Sequence, residues 1–69
     1  MRGLKRLTYF ANRLQAQADW SQLASYVKDN GAGDLVEMYE PKAGASIKKI
    51  DQAISDLRQA YMARAAKEN

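Results

Sequence analysis

Residues 14–23 read Leu-Gln-Ala-Gln-Ala-Asp-Trp-Ser-Gln-Leu, and the course of the whole chain turns on how this stretch is read. Upstream of it, Leu4, Leu7, Ala11, Leu14 and Ala18 recur three and four apart, the spacing that lines one face of an α-helix. Downstream, Trp20, Leu23 and Val27 keep that spacing but fall roughly 160° away from the first stripe at about 100° per residue. One straight helix cannot bury both stripes against one neighbour.

Two solutions follow. The first is a break at Asp19, whose carboxylate would cap a second helix with Gln22 three residues on, the capping-box spacing; it gives helices of about 4 to 18 and about 20 to 30. The second is a continuous helix that packs on its own chain with one end and on another copy with the other, since Ala16, Gln17 and Ala18 contain no helix breaker. The capping-box spacing favours the break. Both solutions bury Trp20 against something.

Working outward, Asn30-Gly31 is a natural helix end because glycine adopts positive φ without penalty. Asp34 is then placed to cap a short helix of about 34 to 40, stopped by Pro41, with Leu35, Met38 and Tyr39 on one face and Asp34, Glu37 and Glu40 on the other. In the C-terminal arm Ile47, Ile50, Ile54, Leu57 and Tyr61 form an apolar stripe widened by Ala53, Ala60 and Ala65. Ser46 is its N-cap candidate, which predicts a helix of about 46 to 66. No window shows sustained strand alternation. The expected fold is all-α, a single domain over 1–69 built as a small helical hairpin or a three-to-four-helix arrangement and completed by dimerisation.

A chain of 69 residues buries a modest share of its surface, and small domains usually gain stability from disulfides, metals or association. The sequence has no Cys and no His, so disulfides and Cys/His zinc sites are excluded, and association or tight helix packing remains. The absence of Cys fits a reducing compartment, and the expectation is a cytoplasmic chain. Apolar runs such as Tyr9-Phe10-Ala11 are far too short to span a bilayer, which needs about 20 apolar residues. The basic start resembles the first region of a signal peptide, but Asn12, Arg13, Gln15 and Gln17 interrupt where an apolar stretch should follow, so the chain is read as unprocessed.

The same inventory argues against catalysis, for no His is present as acid or base and no Cys as nucleophile. Ser21, Ser25, Ser46 and Ser55 have no neighbouring His, and a Ser-Lys arrangement would need Lys48 or Lys49 buried in apolar surroundings, where solvated lysines are the rule. Asp34, Glu37 and Glu40 read as a solvated acidic face rather than a cation site. Gly31-Ala32-Gly33 lacks the preceding strand and the following Lys-Ser or Lys-Thr pair of a phosphate loop. No cofactor, metal or catalytic residue is expected.

Charge and aromatic placement carry the remaining signal. Eleven Lys and Arg against eight Asp and Glu give a net charge of +3. If the two long arms ran antiparallel, Arg2, Lys5, Arg6 and Arg13 would meet Arg58, Arg64 and Lys67 in one basic pole. Arg2, Lys5, Arg6, Arg13 and Arg64 are therefore the candidate phosphate contacts of a nucleic-acid-binding accessory protein. A helix-turn-helix built from residues 20 to 30 and 34 to 40 is disfavoured, because its second helix offers three acids and no base-reading side chain.

Trp20, Leu23, Tyr26, Val27, Met38 and Tyr39 are of the types enriched in interface cores and are the candidate contact surface for another protein. The leading expectation is a homodimeric interaction module that docks on a second protein and modulates or inhibits it. The nucleic-acid reading comes second, and a structural assembly subunit third.

Overall fold

The structure is a computed structural model that describes the backbone of residues 2–68 and the side chains of residues 7–67. It holds three helices, α1 (Arg2–Asp29), α2 (Gly33–Tyr39) and α3 (Ile47–Glu68), and no strand among the described residues. The all-α expectation is met.

α1 runs unbroken through Asp19, so the expected break there is corrected and the continuous alternative describes the helix. Asp19 does not cap a new helix. Its Oδ1 accepts a hydrogen bond from Gln15 Nε2 at 3.0 Å, one turn back along the helix surface. The change of apolar phase is resolved by using the two stripes differently. Ala16, Trp20 and Val27 are buried, with Leu23 and Ala24 packed beside them, whereas Leu7 and Leu14 on the other face are 66% and 65% exposed.

α1 ends in a Schellman motif. Ala32 N–H donates to the Val27 carbonyl and Gly31 N–H to the Lys28 carbonyl, each at 3.0 Å, with Gly31 at φ 84°. The hydrophobic contact that accompanies this motif joins Ala32 and Val27, both buried. α2 then departs from the expected facing. Leu35 is buried and Val36 and Tyr39 pack on the core, while Met38 is 68% exposed. Asp34 lies inside α2 rather than at its N-cap, which is Ala32 without a side-chain cap. Ser46 caps α3 as expected, its Oγ accepting from the Lys49 N–H at 3.3 Å. The α3 stripe supplies Ile50, Ala53 and Leu57 to the core.

The short return through α2 and the turn at Gly44, φ 80°, reverse the chain twice. α3 therefore runs parallel to α1. Its first turns lie beside Trp20 and Gln17, where Ile50 shares a groove with them, and farther along Tyr61 meets Tyr26 with ring centroids 5.9 Å apart. The two long helices are staggered. A molecule 52 Å long but only 18 × 17 Å in section results, against about 42 Å for 28 helical residues alone. The N-terminal half of α1 projects from one end and the last turns of α3 from the other.

Parallel arms overturn the single basic pole, which required antiparallel ones. The start of α1 and the end of α3, with their separate sets of cations, stand at opposite ends of the long axis.

Candidate docking surfaces

Of the six residues expected to form one contact surface, Trp20, Leu23, Val27 and Tyr39 converge, but on the chain's own core rather than on an open face. Trp20 and Val27 are buried in the chain's own core, at 8% and 0% exposure. Leu23 and Tyr39 are half-buried against it. Tyr26 is exposed and meets Tyr61 edge-on at the far end of the molecule. Met38 lines a groove of about 560 Å³ between α2, the 40–46 segment and α3, with Tyr39, Pro41, Ala45, Gln52 and Ala53. A smaller groove of about 320 Å³ lies between Gln17, Trp20, Pro41 and Ile50.

Met38 (68%) and Tyr26 (58%) stand apart from one another in solvent, whereas the contiguous run of exposed apolar side chains lies elsewhere. Leu7 (66%), Phe10 (58%) and Leu14 (65%) follow one another three and four residues apart along α1, with exposed Ala11 and Ala18 between and beyond them. At 3.6 residues per turn they form one stripe, turned away from the Ala16–Trp20–Val27 face that meets α2 and α3. Arg13 is the one charged residue of segment 7–18, and its helical phase places it on the inner side. The outer face is therefore apolar and uncharged over three turns. Single exposed hydrophobic residues are ordinary, but a contiguous stripe marks an interaction surface. Tyr9 meets Phe10 in an edge-to-face contact with centroids 6.2 Å apart, which restrains the Phe10 ring at the margin of the stripe.

The cations offer less to an anionic ligand. Arg64 donates through both terminal nitrogens to Asp34, at 2.9 and 2.7 Å, tying the end of α3 to the start of α2. Arg13 is half-buried, with its Nε enclosed and without a hydrogen-bond partner among the described residues. The side chains of Arg2, Lys5 and Arg6 lie outside the described residues. No group of three or more His, Cys, Asp or Glu that could hold a metal ion occurs among the described residues. No helix there is long and apolar enough to cross a membrane.

The Asp34–Arg64 pair has a pH signature. The hydrogen bond from Arg64 lowers the Asp34 carboxyl from an ordinary 3.8 to about 2. The folded state thus holds the carboxylate ionised more strongly than the unfolded chain does, so the pair's contribution is fully present above the ordinary carboxylate range. It is lost as pH falls through about 2. The carboxylate is open to solvent, so the pair fixes position more than it adds stability. Side-chain NMR should place the Asp34 midpoint near 2 and return it to the usual range in Arg64→Met; identical midpoints in both proteins would mean that the pair does not persist in solution.

Comparison with protein-family models, with curated proteins and with solved structures finds no match to this chain.

Proposed function

We propose that this chain is a helical interaction module, not an enzyme, that acts by docking the outer face of α1 on a protein surface and so modulating the partner it engages. One observation carries the reading: Leu7, Phe10 and Leu14 lie on the face of α1 opposite the core, each more than half exposed on an uncharged stripe. Presenting the apolar positions of an amphipathic helix three, four and seven apart is a standard way for a helix to enter a partner's groove or pair with another helix. The buried face of the same helix is anchored by Trp20 and Val27, so the docking half projects from a packed base.

The non-enzymatic reading draws support from the absence of His and Cys, which removes the commonest acid-base and nucleophilic groups. A cytoplasmic location fits the cysteine-free composition. The nucleic-acid alternative has lost the convergence of cations that motivated it, because the two basic segments lie at opposite ends of a 52 Å molecule.

The test is a photo-crosslinking amino acid, benzoylphenylalanine, placed at Phe10 or, as a control, at Gln59 on the exposed side of α3, in cells making the full chain. The reading predicts a discrete covalent protein adduct from position 10 and none from position 59. No adduct from position 10, or the same adducts from both positions, would overturn it.

A further inference from the structure

We infer that the outer face of α1 pairs with the same face of a second copy, antiparallel, about a two-fold axis at Ala11. The inference rests on the docking role of that face and names its occupant.

The pattern along the face is self-complementary when the two copies run antiparallel. Leu4, Leu7, Ala11, Leu14 and Ala18 alternate three and four apart, the heptad spacing of paired helices. Turned end for end about Ala11, Ala11 comes opposite Ala11 and Ala18 level with Leu4 in sequence register, while Leu7 of one copy comes within one residue, about 1.5 Å along the axis, of Leu14 of the other. Two small residues meet at the centre, where helix axes must approach to about 8 Å, and larger ones flank them. A two-fold contact of this kind uses one patch twice and closes at two copies.

Charge points the same way. Segment 7–18 carries no charge on its outer face, so no ion has to be desolvated in the seam. A parallel pair would set Arg2, Lys5 and Arg6 of one copy beside the same three residues of the other. The antiparallel pair brings that segment level with the exposed Asp19 of the partner copy.

The elongated shape leaves surface uncovered. The chain exposes 5537 Å², whereas a compact monomer of 7.7 kDa exposes about 4,300 Å². The excess of roughly 1,200 Å² includes both projecting helix ends and exceeds the roughly 800 Å² that each partner contributes to a standard interface. The packed base lies on the opposite side of α1 from the stripe, so the second helix approaches an open face.

Because the chain has no cysteine, single substitutions report the pairing cleanly. Ala11→Cys and Ala18→Cys are purified as full chains, checked for helicity and mildly oxidised at equal concentration. A disulfide needs Cα atoms within about 7 Å, so Ala11→Cys should yield at least about tenfold more linked dimer than Ala18→Cys, whose two sites would lie about 20 Å apart along the seam. Sedimentation equilibrium of the unsubstituted chain should fit monomer and dimer with no larger species.

Equal linking at both positions, growth beyond the dimer, or a monomer at every concentration would overturn the inference. In the monomer case, a position-10 photo-adduct heavier than two chains would leave the docking role standing with a different partner. Absence of any such adduct would remove the docking role as well.

Discussion

Replacing Leu57 with Ala is expected to bring the protein to the edge of unfolding in water. Leu57 is fully buried, at 0% exposure, in the core shared by all three helices with Val27, Leu35 and Ile50. Truncating a buried Leu costs about 2–5 kcal/mol, from lost transfer free energy and from the cavity left behind. A chain of 69 residues has about 3–10 kcal/mol of total stability at the usual figure per residue. Leu14→Ala is the matched control. That side chain is 65% exposed, so the same chemical change should alter monomer stability by less than about 0.5 kcal/mol. Urea unfolding of the two variants at low protein concentration reads the difference; equal midpoints would mean that the assignment of inner and outer residues is wrong.

That assignment is also where reading the sequence succeeded and then stopped. Both stripes of α1 are visible in the spacing of its apolar residues, and so is the impossibility of burying both on one neighbour. Which stripe the chain uses for itself is not a local property. It is decided by where α2 and α3 can reach, and a seven-residue return helix brings α3 back only as far as Trp20 and Gln17. The stripe around Trp20 thereby becomes the core and the stripe around Leu14 stays outside, the reverse of the expected contact surface.

The parallel course of the long helices was hidden for a related reason. Residues 30–46 read as turn, short helix and turn, but two reversals restore the original direction only if the short helix packs alongside its neighbours, as buried Leu35 makes it do. Elements with a local signature were read closely: the Gly31 terminus, the Ser46 cap and the α3 stripe. The ion pair of Asp34 with Arg64 spans thirty positions and has no local signature at all.

The second large effect concerns association rather than folding. Leu7→Glu combined with Leu14→Glu is expected to abolish self-association while leaving the monomer's helicity and melting temperature essentially unchanged. Burying the remaining exposed area of one such Leu is worth about 1–2 kcal/mol. Two copies contribute four of these side chains, so their loss should weaken pairing by about a thousandfold or more. The antiparallel register also places each new Glu against another, adding like-charge repulsion in the seam. Glu is a good helix former and Leu7 lies near the start of α1, so the substitutions do not oppose the helix itself. A double variant that sediments as the unsubstituted chain does would contradict this, and one that loses helicity at high dilution would mean that the stripe also supports the monomer.

Amide hydrogen exchange over residues 7–15, followed as protein concentration is raised, tests most directly whether the outer face of α1 is an interface. Among the described residues nothing covers that face in the monomer, so its backbone should exchange quickly in dilute solution, well ahead of residues 20–27 on the packed base. The account predicts that protection of 7–15 rises with concentration in the unsubstituted chain and stays at the dilute level in Leu7→Glu, Leu14→Glu. Protection of 7–15 that equals that of 20–27 in the most dilute sample, or that never changes with concentration, would contradict it.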